Sequence, residues 1–269
     1  MRPNQRNGRG SSMSIAFFDS GIGGLTVMRE AARSLPNEDF IFFADTLHVP
    51  YGPKTKEQVT EYVCEAAERI LGQSVKALVI ACNTATSVAA TELRRTYDVP
   101  VIGMEPAVKP AVEMNGASGR RVLVLATELT LSQAKYRDLV SRVDDLGIVD
   151  SLPMPELVEY CEALKFDPAE LGPYFLRKFD RFDLSRYGTL VLGCTHYPYY
   201  TELLEQILPP HIRVIDGSAG TVRRVARVLE ERGLAGGGSG RVRFMNSADD
   251  PAYQAKLERA WGILNGVTL

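Results

Sequence analysis

The chain has 269 residues, 45% apolar and 24% charged, with 31 Lys and Arg against 33 Asp and Glu and a net charge of −2. That balance offers no basic footprint for nucleic acid, and no apolar run approaches the ~20 residues of a membrane span. Four cysteines without CxxC or His-x-x-x-His spacing argue against a disulfide framework and against zinc, and for a reducing, cytoplasmic setting.

Residues 1–13 begin MRPNQRNGRGSS, charged but without the apolar core of a secretory signal, and read as a disordered tail with Met13 as the natural start. Strand-like runs then alternate with helical patterns. An apolar strand at 14–18 leads through a glycine turn into a helix reaching about residue 34. A strand at 39–44, a helix at 55–71, a strand at 77–81, a helix to about residue 97 and a strand at 99–103 follow. The pattern restarts with a strand at 121–126, a helix at 130–143, a short strand at 147–151 and two helical stretches to about residue 182. A strand at 189–193, a helix near 199–207, a strand at 213–215 and a helix at 220–231 complete it. Residues 235–240, AGGGSG, are a flexible connection to an expected edge strand at 241–245. Tyr253, Leu257, Ala260, Trp261 and Leu264 then share one helical face. This alternation predicts an α/β fold with mostly parallel sheets covered by helices.

Two stretches read as copies of each other, Leu78-Val-Ile-Ala-Cys82-Asn83-Thr84 and Leu190-Val-Leu-Gly-Cys194-Thr195-His196. Each delivers a cysteine at the end of a buried strand, where parallel sheets bind ligands. Cys82 follows Asp19 by 63 residues and Cys194 follows Thr127 by 67, which suggests a duplicated unit with two facing lobes. A thiol has an ordinary pKa of about 8.5, and a nearby helix N-terminus favours its thiolate. Two such groups on opposite sides of a substrate could remove a proton from one face and return one to the other. A buried structural thiol would account for either cysteine alone; the matched pair points to chemistry. Cys64 and Cys161, in helical patterns, are read as packing residues.

Asp19-Ser20-Gly21-Ile22-Gly23-Gly24 lies between a strand and a helix. It lacks the spacing of a dinucleotide fingerprint and the Lys-Ser/Thr of a P-loop, so its free N–H groups suit a small carboxylate better than a nucleotide. His196 sits two residues past Cys194, where it could exchange a hydrogen bond with sulfur or carboxylate. Tyr51-Gly52 could grip substrate from a loop on the same sheet edge. Glu159 could equally be an ordinary exposed helical residue.

Together, D-S-G-x-G-G at 19–24, P-Y-G at 50–52, A-C-N-T-A at 81–85, L-V-E at 157–159 and G-C-T-H-Y-P at 193–198 resemble the bacterial glutamate racemases. The resemblance runs from about residue 14 to the C-terminal helix. It departs from the family in the segment before Glu159 and in Ala44, where glycine is common. It implies two pseudo-symmetric α/β lobes, 14–105 with 217–269 and 106–216, with the active site between them. It implies cofactor-independent interconversion of L- and D-glutamate for peptidoglycan, by a protein expected to be a homodimer. Carried over by position, Cys82 and Cys194 are the acid/base thiols, Asp19 and His196 assist them, and Glu159 is a further acidic residue. Asp19, Ser20, Tyr51, Gly52, Asn83, Thr84, Thr195 and His196 fall on substrate-binding positions, and Thr127 and Thr130 look like the second lobe's threonine pair. The alternatives are a racemase of another acidic amino acid such as aspartate, or a non-catalytic amino-acid-binding protein. A pyridoxal phosphate enzyme is a weaker reading, since no lysine sits at either cysteine strand end.

Overall fold

The computed structural model describes residues 13–267, so the expected disordered tail at 1–12 lies outside the described residues. The described strands are β1 (Ser14–Asp19), β2 (Asp39–Ala44), β3 (Val75–Ile80), β4 (Val101–Gly103), β5 (Arg121–Ala126), β6 (Val149–Pro153), β7 (Tyr187–Leu192), β8 (Arg213–Asp216) and β9 (Val242–Asn246). The helices of the first half are α1 (Leu25–Ser34), α2 (Lys56–Leu71), α3 (Asn83–Thr96) and α4 (Val108–Asn115). Those of the second are α5 (Glu128–Ser132), α6 (Ala134–Val143), α7 (Glu156–Glu162), α8 (Pro168–Phe179), α9 (Thr201–Ile207), α10 (Ser218–Glu231) and α11 (Pro251–Leu264).

Two sheets form, with parallel pairing throughout, as the β-α alternation predicts. One runs β4-β3-β1-β2-β9; the other, read from its β8 edge, runs β8-β7-β5-β6. Without β9 the two orders are the same. The resemblance extends to detail: the register shifts at Ser14/Ile15 where β1 meets β3, and at Arg121/Val122 where β5 meets β7. This common order and common irregularity are what a duplicated unit should retain.

Sequence character follows position in the sheet. β2, β3 and β7 are buried along their whole length and read as nearly unbroken apolar runs, as strands covered on both faces must. β6 and β8, at the edges of the second sheet, keep polar and partly exposed residues. The main core is continuous across both sheets, from Phe17 and Phe42 to Leu123, Leu190 and Phe175. Among the described residues no helix is long and apolar enough to cross a membrane.

Two expectations needed correction, and one helix was unforeseen. The helix at 130–143 is two helices, because Thr127 caps a first turn at Thr130 N–H and extended Gln133 then breaks the run. The helix near 199–207 begins as a 3-10 turn, Tyr197–Tyr200, around Pro198, which lacks an N–H. Helix α4 was not expected; its Pro110 sits in the first turn, where the missing donor costs little.

Candidate active site

In each sheet the chain moves one way from the first strand to the second and the other way through the next two. The crevice outside the carboxyl ends of β1 and β3, and of β5 and β7, is therefore a topological switch point. Asp19 and Cys82 sit at the first crevice, Thr127 and Cys194 at the second, and the crevices face each other. One cavity lies between them. Ser20, Tyr51, Gly52, Cys82, Asn83 and Thr84 line it from the first lobe, and Thr127, Cys194, Thr195 and His196 from the second. Its volume is about 10 Å³, room for about one water, so the lobes are closed on each other and an amino acid enters only if they part.

The two cysteines are held differently. Cys82 is the N-cap of α3, and its Sγ accepts from the Ala85 N–H at 3.4 Å. Burial pushes its thiol well up and the Asp19 charge adds to this; the Ala85 N–H opposes them without prevailing. The helix-start advantage expected for this thiol is thus outweighed by desolvation. Cys194 precedes a 3-10 turn instead of an α-helix, and its Sγ faces His196 Nδ1 at 3.7 Å.

Asp19 is fully buried and accepts from Ser20 Oγ at 3.1 Å, Gly21 N at 3.1 Å and Thr195 Oγ1 at 2.7 Å. Burial raises its carboxyl above the usual range, against the lowering influence of His196 and these donors. Asn83 is buried with neither side-chain oxygen nor nitrogen hydrogen-bonded. Such an orphaned amide costs about 1–3 kcal/mol, which a ligand can offset. Thr84, Thr127 and Thr130 form a triangle of hydroxyls 3.0–3.1 Å apart across the lobes. Thr130 lines an adjoining cavity, reached by Asn83 as well, and not the one between the cysteines. Tyr51 donates to Asp45 at 2.6 Å, and His48 Nδ1 meets the same carboxylate at 2.9 Å while its ring stacks on Tyr62.

His196 is buried between two partners. Burial alone would lower its pKa, but hydrogen bonding and charge from Cys194 and Glu162 raise it to about 10, so the ring is an imidazolium at neutral pH. Its Nε2 donates to Glu162 Oε1 at 2.8 Å. Burial would raise Glu162, but its hydrogen bond to His196 and the charges of His196 and Lys256 hold it at about 2.

Glu162 is the residue the sequence reading missed. The expected Glu159 lies exposed on α7, away from this group. Leu157, Val158 and Cys161 form the buried face of α7; Glu162, four residues past Val158, borders that face, whereas Glu159 points opposite. Cys161 is buried in the core, as expected, and Cys64 packs against the first lobe's cluster.

The glycine turn does receive a carboxylate, and it is the protein's own: Ile22 N–H donates to Glu162 Oε1 at 2.8 Å. A Cβ on Gly21 would fall 1.8 Å from that oxygen, and one on Gly23 would fall 2.5 Å from His196 Nδ1. These glycines let the second lobe's acid and imidazole approach the first lobe's backbone.

The profile of a family described as Asp/Glu/Hydantoin racemase matches residues 25–225. The chain is 47% identical over 256 residues to glutamate racemase 2 of Bacillus subtilis, covering 94% of this chain and 97% of that protein. It is 50% identical over 237 residues to a glutamate racemase of Halothermothrix orenii, covering 87% and 93%. Among solved structures, an Escherichia coli glutamate racemase with L-glutamate and the activator UDP-MurNAc-Ala superposes with a TM-score of 0.82 at 32% identity, covering 93% of this chain and 96% of that one. A Thermus thermophilus glutamate racemase bound to β-chloro-D-alanine gives 0.76 at 36% identity, covering 92% and 93%.

Proposed function

This chain belongs to the Asp/Glu/hydantoin racemase family, an isomerase family acting on amino acids, and from that premise we propose that it interconverts L- and D-glutamate by two cysteine bases without a cofactor, supplying D-glutamate for peptidoglycan. The observation that carries the reading is the pair Cys82 and Cys194 at matching switch points on opposite walls of one closed cavity.

The geometry supports a resting state with two unlike thiols. Cys82, buried and beside Asp19, stays a thiol. Cys194 faces the His196 imidazolium, whose second N–H is taken by Glu162, and is the base in the L-to-D direction. L-Glutamate would lose its α-proton to Cys194 Sγ, leaving an electron pair at Cα. Cys82 would deliver its S–H proton to the opposite face, giving D-glutamate, a Cys194 thiol and a Cys82 thiolate. Reaction from D-glutamate would run the same steps backwards, with Cys82 as base. Asp19 lies at the Cys82 end, as His196 lies at the Cys194 end. Water exclusion in the closed cleft strengthens each of these hydrogen bonds. Asn83, with its unmet amide, and the hydroxyls of Ser20, Thr84 and Thr195 are the groups offered to the substrate's charged ends.

The test is racemisation in D₂O with L-glutamate, D-glutamate and L-aspartate. The expected result is turnover of both glutamates with α-deuterium uptake, and losses above about 10³-fold in Cys82→Ser and Cys194→Ser. Near-wild-type exchange in either serine variant would overturn the two-thiol reading. Preferred turnover of aspartate would overturn the substrate, and solvent exchange with neither would leave a binding protein.

A further inference from the structure

Glu162 accepts four hydrogen bonds, and their origin is uneven. Only His196 reaches it from the second lobe. Ile22 N–H comes from the first lobe's glycine turn. The other two come from the C-terminal helix α11: Tyr253 O–H donates to Oε2 at 2.7 Å, and Lys256 Nζ donates to the same oxygen at 2.5 Å. Helix α11 packs on α1 and β9, both on the first lobe's side. Lys256 also lies over the Tyr253 ring at 4.4 Å, so the two side chains brace each other. The glutamate and the lysine are 13% and 22% exposed, too buried for an ordinary surface ion pair.

We propose that Tyr253 and Lys256 are positioning residues for the racemisation: by clamping Oε2 of Glu162 they aim Oε1 at His196 and so hold the imidazole against Cys194. The inference rests on the two-thiol reading above. A carboxylate bound only through Oε1 could swing about its last torsion, and the aim of His196 Nδ1 at sulfur would loosen with it. With both oxygens held by two lobes, rotation is blocked. Three of the four donors belong to the lobe opposite His196, so the clamp is complete only when the lobes meet. The groups facing this centre include Cys194 and Asp19 near His196, with Cys161, Tyr199 and Tyr200 near Glu162. None of these supplies a substitute cation for Oε2.

The experiment compares Lys256→Met, Lys256→Arg and Tyr253→Phe with the wild type. A racemisation has an equilibrium constant of one, so kcat/KM must fall equally from L- and D-glutamate and rates alone cannot locate the damage. Primary isotope effects can. In Lys256→Met, kcat should fall about 10-fold with KM changed less than about 2-fold, and in Tyr253→Phe about 3-fold. The isotope effect on kcat/KM should rise with α-deuterated L-glutamate, whose deuterium goes to Cys194. It should fall with α-deuterated D-glutamate, whose deuterium goes to Cys82. Lys256→Arg should recover most of the rate. In the ligand-free protein, the His196 Nε2 proton should be a slowly exchanging NMR signal whose exchange quickens about 10-fold in both uncharged or hydroxyl-less variants. Equal movement of the two isotope effects, or an unchanged Nε2 proton in a folded variant, would overturn the clamp. Because that proton is read without substrate, it decides the inference even if glutamate proves to be the wrong substrate. Should Lys256→Met not fold, Tyr253→Phe alone carries both measurements.

Discussion

Glu162→Gln removes one charge and keeps the shape, so it probes the centre sharply. Glutamine offers one acceptor oxygen where four donors converge, and its NH₂ must face either His196 and Ile22 or Tyr253 and Lys256. The displacement of Glu162 from 4.5 to about 2 corresponds to about 3 kcal/mol, at ~1.36 kcal/mol per pH unit. His196 is displaced further, from 6.5 to about 10, with Cys194 contributing; Lys256 contributes to the Glu162 displacement, so the Glu162 figure measures what the whole centre gives this carboxylate and is an upper bound for the pair. A loss of about 3 kcal/mol should lower Tm by roughly 6–12 °C in a chain of this size. The pH dependence is the decisive part. Glu162 is depressed, so its contribution is present above 4.5 and lost as pH falls through about 2. His196 is raised, so its contribution is present below 6.5 and lost as pH rises through about 10. The Tm difference between wild type and Glu162→Gln should therefore be greatest between 4.5 and 6.5 and shrink on both sides. Calorimetric or fluorescence melts from pH 3 to 9.5 would measure it, beside a racemisation assay expected to fall about 10²-fold. A Tm difference independent of pH would refute the ion-pair account.

Three further outcomes follow from the same geometry. Glu159→Gln, on the exposed side of α7, should leave racemisation within about 2-fold and stability within ~0.5 kcal/mol, which a side-by-side assay with Glu162→Gln would check. Gly21→Ala should reproduce much of the Glu162→Gln rate loss, at least about 10-fold, because its Cβ would fall 1.8 Å from Glu162 Oε1; full activity would show that the carboxylate can move freely. Lys76→Met should leave Glu38 without its ion-pair partner at 4% exposure, costing about 3–5 kcal/mol in denaturant titrations while the folded fraction keeps its kcat.

Strand and helix alternation, the repeat of the unit and both cavity cysteines were legible because each is written locally. An apolar run of strand length, a small residue and a cysteine before a helix start need no distant partner to be recognised. The placement of Asp19, Ser20, Asn83, Thr84, Thr195 and His196 was legible for the same reason, since each lies within four residues of a strand end. The acidic partner of His196 was not. Glu159 and Glu162 lie less than one turn apart on α7, and motif resemblance selected the former. Which of them meets the imidazole depends on how that helix is rotated against the sheet, and packing of Leu157, Val158 and Cys161 decides it.

The sequence by itself determined two parallel α/β units and the thiols at their strand ends, because hydrophobic period and strand-end chemistry act over a few residues. Only the tertiary structure decided what each thiol feels. Burial beside Asp19 holds Cys82 as a thiol, and an imidazolium faces Cys194. Lys256 and Tyr253, 94 and 91 residues beyond Glu162, complete the second arrangement. Charge and desolvation depend on distance through space, and chain spacing carries no record of that distance until the lobes pack.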